Sequence, residues 1–205
     1  MKFYFVRHGK TQWNLEGRFQ GANGDSSLLE EAILELELLG RHLSDIHFDA
    51  VFSSDLPRAR HSAQLLMQEN SQPTAITLTK NLREWNLGKL EGCKITTMTA
   101  IYPKQMDAFR HNLALFKPDI FEAETVYETT HRVQELVASC QNQGFENVLM
   151  VGHGANLTAS IRSLLGYELG DLRRNGGLDN ASLTILETKD FTHFTCLDWN
   201  DKSYL

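Results

Sequence analysis

Three short apolar runs in this chain end abruptly on residues that a buried strand cannot keep inside. Residues 2–6 run into Arg7-His8-Gly9, residues 48–53 into Ser54-Asp55, and residues 147–152 into His153-Gly154. Each run is nearly continuous in apolar side chains, the pattern of a parallel strand covered on both faces. Only helices from the intervening chain can supply that cover, so the runs commit the fold to alternating strands and helices.

The intervening segments carry helical patterns. Leu28 to Leu43 is rich in Leu and Glu and opens on Ser27-x-x-Glu30, the spacing of a capping box. A second helix is expected from Asp55, a favoured cap, with Pro57 in its first turn. A third pattern spans 124–143, and a fourth follows His153. The runs 181–187 and 191–198 alternate around a short polar turn and read as a hairpin at the sheet edge. The expected fold is α/β, a three-layer α/β/α sandwich with a mostly parallel central sheet. Residues 81–145 show no obvious strand and contain Pro103 and Pro118, so they read as a helical cap insertion within one domain spanning 1–205.

Charge and composition remove some function classes. With 20 Lys and Arg against 26 Asp and Glu the net charge is −6, and no basic stripe marks a nucleic-acid surface. No apolar run approaches the roughly 18 residues of a membrane span, so neither nucleic acid nor membrane is expected as a partner. The three cysteines are widely spaced with no C-x-x-C pair, which argues against a disulfide framework and fits a reducing cytoplasm. His42, His47, His61, His111, His131 and His193 show no metal-ligand spacing, and no metal or cofactor is expected.

In open α/β sheets, ligands bind beyond the carboxyl ends of the strands. The three strand ends would bring Arg7, His8, Arg58 and His153 together there. Two arginines and two histidines converging make an anion site, because guanidinium forks match phosphate oxygens and stay charged. The helix after His153 would add backbone N–H groups and its positive dipole end. Gly9 and Gly154 beside the histidines would let a ligand approach the backbone.

The motifs Arg7-His8-Gly9, Ser53-Ser54-Asp55-Leu56-Pro57-Arg58-Ala59, Leu82-Arg83-Glu84 and Gly152-His153-Gly154 resemble the histidine phosphatase superfamily, in its phosphoglycerate-mutase-like branch. They occur in that family's order. The resemblance implies that His8 is the nucleophile, forming a phosphohistidine while a backbone carbonyl holds its other ring nitrogen. It implies Arg7, Arg58 and His153 as the phosphate clamp, and Glu84 as the acid that protonates the leaving alkoxide and then helps activate water. It implies that Asn14, Gln20, Gly21 and Gly154 bind phosphate or substrate, with no metal. Chemistry of this kind cannot rest on one histidine: a general acid supplies about 10²–10⁴-fold, while monoester hydrolysis calls for accelerations of up to about 10²¹.

The sequence also departs from the family pattern. Asp25-Ser26-Ser27-Leu28-Leu29-Glu30-Glu31-Ala32 lacks the Thr and Gly that relatives carry at the entry to the next helix. Mutases of the family place a Tyr-Gly pair after the acidic residue and paired arginines later; here Leu87 replaces the tyrosine, and the insertion offers Arg110-His111 and isolated lysines. A mutase must retain its phosphorylated partner and exclude water. The departures therefore favour a phosphomonoester hydrolase acting on a small-molecule phosphomonoester. The alternatives are a phosphoglycerate-type mutase or phosphotransferase, and a catalytically silent phospholigand-binding module. Trp85, Tyr102, Phe109, Phe116 and Phe121 either line a pocket under the cap or pack its core.

Overall fold

A computed structural model describes all residues from Met1 to Leu205. Its strands are β1 (Lys2–Arg7), β2 (Ala50–Ser54), β3 (Ile76–Thr79), β4 (Asn147–Gly152), β5 (Leu183–Thr188) and β6 (Phe194–Asp201). Its helices are α1 (Gln12–Leu15), α2 (Glu30–His42), α3 (Pro57–Glu69), α4 (Ile95–Ile101), α5 (Pro103–His111), α6 (Val126–Ser139) and α7 (Gly154–Leu164). One six-stranded sheet runs in the order β3-β2-β4-β1-β5-β6. The first four strands in that order are mutually parallel, while β5 pairs antiparallel with β1 and with β6. The expected sandwich and edge hairpin are both present.

The apolar runs are continuous because successive side chains enter different cores. Tyr4 and Val6 of β1, with Leu149 and Val151 of β4, pack against Leu36 and Leu39 of α2 and Ala59, Ala63 and Leu66 of α3. Phe3 and Phe5, with Val148 and Met150, face the opposite layer: Val133, Leu136 and Val137 of α6 and Leu157 and Ile161 of α7. Arg7 pairs with Gly152, so β1 and β4 end level, and His8 and His153 leave the sheet side by side.

Several local expectations are corrected. β3 was not expected; it is a short edge strand whose Thr77 and Leu78 are exposed, so burial left no pattern in it. The Ser27/Glu30 capping box does not form: Leu29 is the N-cap of α2 without a side-chain bond, and the Ser27 carbonyl instead accepts from the Gln12 N–H. Asp55 does not cap α3, which begins at Pro57 behind Leu56; its carboxylate takes both forks of Arg83, at 2.7 and 2.8 Å. Capping boxes do close α1, through Thr11 and Asn14, and α6, through Thr125 and Glu128.

Segment 81–145 splits into two parts. Its last helix, α6, belongs to the layer over the sheet. The remainder, α4 and α5 with short 3-10 turns, gathers a separate core around Trp85, Met106, Phe109, Phe116 and Phe121 that also takes in Phe19, Ala159 of α7 and Leu172. No helix is long and apolar enough to cross a membrane.

Candidate active site

His8 follows directly on β1 and is buried, its ring centroid 5.1 Å from that of His153. His8 Nδ1 lies 2.7 Å from the carbonyl oxygen of Gly9. A carbonyl only accepts, so Nδ1 carries the proton and Nε2 presents its lone pair. Gly9 is held in turn by its N–H donating to Ser62 Oγ at 3.1 Å, and Asn180 Nδ2 donates to the His8 carbonyl at 3.1 Å. Burial, then the charges of Arg58 and Arg7, push the His8 imidazole well below its ordinary pKa, so the ring is neutral at pH 7.

His153 lies 2.8 Å through Nε2 from Ser54 Oγ. The Ser54 hydroxyl already accepts from the Leu56 N–H and has no other acceptor in reach, so it donates to Nε2. The His153 proton then sits on Nδ1, which is buried without a partner. Burial, with Arg58 next, also depresses this imidazole strongly. Arg7 donates through Nη1 to the Leu178 carbonyl, and its buried Nε has no partner. Gly154 lets Arg7 lie flat against the start of α7: a Cβ there would stand 2.8 Å from the Arg7 Cζ and Nε.

Arg58, expected in the phosphate clamp, turns its terminal nitrogens to the protein. Its terminal nitrogens donate to the carbonyls of Gln20, Gly21 and Gly24 and to the Asp25 carboxylate, at 2.8 to 3.1 Å. Only its buried Nε is unpartnered. Arg58 therefore braces the 20–25 loop while its charge acts on both histidines. The Nε atoms of Arg7 and Arg58 and Nδ1 of His153 are thus three buried nitrogens with unspent donor capacity around His8, an unfavourable arrangement unless an anion satisfies it.

Glu84 follows a 3-10 turn (Lys80–Leu82) and reaches the start of α7. Oε1 accepts from the N–H groups of Trp85 and Asn156, both at 2.8 Å, and Oε2 accepts from Ala155 N–H at 3.0 Å. Oε2 carries the fewer bonds and so retains the free position for a proton. The residues around Glu84 are fastened twice: Arg83 to Asp55, and Arg132 of α6 to Glu124 and to the carbonyls of Lys80, Asn81 and Arg83. Glu91, the other nearby acid, is a loop clamp. Its carboxylate accepts from the N–H groups of Ala22, Asn23, Gly24 and Leu87.

A cavity of about 190 Å³ opens over these groups. Of the expected residues, Arg7, His8, Glu84, Asn14, Gln20 and Gly154 line it; Arg58, His153 and Gly21 do not. Gln20 spends its amide on Thr11 and Ser26, and a Cβ on Gly21 would collide with the Glu91 carboxylate, so this glycine serves packing. Asn14 gives its amide oxygen to Thr11 and Asn180. Sequence reading missed Arg18 and Arg173, which line the cavity together with Arg110. Both lie outside the insertion, Arg18 after α1 and Arg173 after α7. Of the candidate pocket aromatics only Phe109 reaches the cavity; Trp85, Phe116 and Phe121 pack the separate core around α4 and α5, and Tyr102 is partly exposed beside Phe121. No group of three or more His, Cys, Asp or Glu side chains is placed to hold a metal ion.

Comparison with known proteins agrees with this geometry. A "Probable phosphoglycerate mutase GpmB" of Salmonella arizonae is 32% identical over 178 residues, covering 85% of this chain and 79% of its own. A broad-specificity phosphatase of Saccharomyces cerevisiae is 33% identical over 198 residues, 95% of this chain and 83% of its own. The solved structure of Bacillus stearothermophilus YhfR superposes with a TM-score of 0.88 at 28% identity, covering 99% of this chain and 98% of its own. The profile described as "Histidine phosphatase superfamily (branch 1)" matches residues 3–202, and the chain belongs to that family.

Proposed function

We propose that the protein is a phosphatase that hydrolyses small-molecule phosphomonoesters through a phosphohistidine on His8. The observation that carries this reading is the neutral, oriented imidazole: Nδ1–H is spent on Gly9, and Nε2 is free among unpartnered cationic donors. The Nε2 lone pair attacks phosphorus and the ester P–O bond breaks. Glu84, carrying its proton on Oε2, gives it to the departing alkoxide. Water then attacks the phosphorus, Glu84 takes its proton, and the P–N bond breaks to release inorganic phosphate. The Gly9 carbonyl steadies the positive charge that phosphorylation puts on the ring. Arg7, Arg58 and His153 Nδ1–H offset charge on the phosphoryl oxygens, a contribution of roughly 3–4 kcal/mol for each well-placed donor.

Asn14, Gln20 and Gly154 border the phosphate position, and Gly21 supports the loop behind it. The segment from Glu84 to Glu124 acts as the cap. The cavity lies below the roughly 300–1,000 Å³ of drug-sized sites, which supports a compact substrate. Nucleic acid is not a substrate on this reading, and the three free cysteines support a reducing, cytoplasmic setting. The yeast relative, described as a broad-specificity phosphatase, supports hydrolysis, and the GpmB relative makes mutase chemistry the alternative. The test is a phosphomonoester screen with wild type and His8→Ala, together with trapping of labelled phosphate. An acid-labile label on wild type, absent from the variant along with turnover, is expected. Turnover that survives His8→Ala refutes the nucleophile, and label delivered to phosphoglycerate in preference to water makes the enzyme a mutase.

A further inference from the structure

Neither α6 nor the turn leading into it gives a side chain to the cavity, yet Glu124, Thr129 and Arg132 converge on the segment that carries Glu84. Arg132 forms a bidentate pair with Glu124, Nε to Oε1 at 2.8 Å and Nη2 to Oε2 at 2.9 Å. Its Nη1 donates to the carbonyls of Lys80 and Asn81, both at 3.1 Å, and of Arg83 at 3.3 Å. A short turn ends there, and a guanidinium can gather several such carbonyls at once.

On the other side of Glu84, the partner takes over. Glu124 Oε2 accepts from the Asn86 N–H at 3.1 Å, and the Glu124 carbonyl accepts from the Trp85 indole at 2.6 Å. The Glu124 N–H donates to the Asn86 carbonyl at 2.8 Å. The pair thus holds the main chain on both flanks of Glu84. It also reaches the donors that aim the carboxyl. Arg132 Nη2 donates to Thr129 Oγ1 at 3.3 Å, and Thr129 accepts from Asn156 Nδ2 through its carbonyl at 2.9 Å and its hydroxyl at 2.8 Å. Of the three N–H groups bound to the Glu84 oxygens, two belong to Trp85 and Asn156, both held by this network.

The helix does not need the network for its own attachment, because Val133, Leu136 and Val137 already pack it on the sheet. What the network adds is the placement of residues 80–86. The Arg132 and Glu124 side chains are only 24% and 14% exposed, so solvent does not loosen the pair as it would at the surface.

We propose that Arg132 is the positioning residue of the general acid: acting through Glu124 and Thr129, it sets where the Glu84 carboxyl stands relative to the leaving-group oxygen. The inference rests on the reading of Glu84 as that acid, and it assigns a residue that touches neither the cavity nor the Glu84 carboxyl. The step that depends on it is proton transfer to the departing alkoxide. p-Nitrophenolate leaves without a proton, so misplacing the acid is silent for that ester and costly for glycerol phosphate.

The test measures kcat/KM, which reports the phosphorylation step, on both esters for Arg132→Gln and Arg132→Lys, alone and combined with Glu84→Gln. Arg132→Gln should lose about ten- to a hundredfold on glycerol phosphate, the scale of a displacement near 1 Å, and less than about threefold on p-nitrophenyl phosphate. Arg132→Lys keeps the charge but not the fork; it should show the same selectivity at smaller size, and it carries the test should Arg132→Gln not fold. Over Glu84→Gln, either substitution should cost less than about twofold on glycerol phosphate, because no proton is left to place. Equal losses on the two esters, or the full loss retained over Glu84→Gln, overturn the positioning role. Wild-type turnover of glycerol phosphate by Arg132→Lys overturns it too, since charge alone would then suffice. Failure of the parent reading shows differently: Glu84→Gln by itself would cost both esters equally.

Discussion

Gly154→Ala tests whether Arg7 works from its present position. The added methyl carbon would stand 2.8 Å from Cζ and Nε of Arg7 and 3.2 Å from Nη1, whereas ordinary contacts begin near 3.4 Å. The guanidinium must therefore retreat by about 0.6 Å or more. The obstacle is the far end of a flexible side chain, and the φ of Gly154 is not in the left-handed region, so the fold should yield easily. Catalysis should not. A displacement near 1 Å at a positioning group can cost about 10²-fold, so kcat/KM on p-nitrophenyl phosphate should fall about ten- to a hundredfold with little change in Tm. Gly144→Ala is the converse control: nothing lies within 4 Å, but φ is +75°, so it should cost about 1 kcal/mol of stability and no activity. Activity within twofold of wild type in Gly154→Ala, with the fold intact, would refute the reasoning.

Other perturbations separate the remaining parts of the site. Glu84→Gln keeps one oxygen for the Trp85 and Asn156 N–H groups, turns its amide NH2 toward the Ala155 N–H and removes the transferable proton; kcat should fall about 10²–10⁴-fold for alkyl phosphates and much less for p-nitrophenyl phosphate, and equal losses on both would exclude a general acid. Glu91→Ala strips acceptors from four backbone N–H groups and should cost about 2–3 kcal/mol, loosening the loop that Arg58 braces; urea melts and amide exchange at Ala22, Asn23 and Gly24 report it, and unchanged protection would count against the clamp. His8 and His153 are buried with strongly depressed pKa values, so below about pH 6.5 the unfolded chain takes up protons that the folded chain refuses. Stability is then full above about pH 6.5 and falls below it, by up to about 1.4 kcal/mol per pH unit per histidine. Identical urea midpoints at about pH 7.5 and pH 5.5 would contradict this.

The parts of the structure that sequence disclosed are those where burial governs residue type. The strands β1, β2 and β4 announce themselves because both faces are covered, and their ends because Arg7, His8 and His153 cannot lie within a core. β3 is invisible for the opposite reason: an exposed edge strand has no required side chains. Asp55 has the right chemistry for a cap, but Arg83, brought close only by the fold, offers a bidentate partner. The behaviour of Arg58 was hidden because its partners are mostly main-chain oxygens, which leave no mark in a sequence. Arg173 and Arg174 are adjacent and identical in type, yet one enters the cavity and the other meets Asp171 outside; only the path of the chain after α7 distinguishes them.

The Glu91 clamp has a consequence for anyone transplanting substrate preference between relatives. Glu91 belongs to the segment proposed as the cap, yet the loop it ties down is the one whose carbonyls hold Arg58. A cap exchanged alone would bring its own geometry at that junction and leave the catalytic floor without its fastening. Chimeras that move residues 20–25 together with the cap keep the two surfaces matched, and those hybrids are the ones to build first.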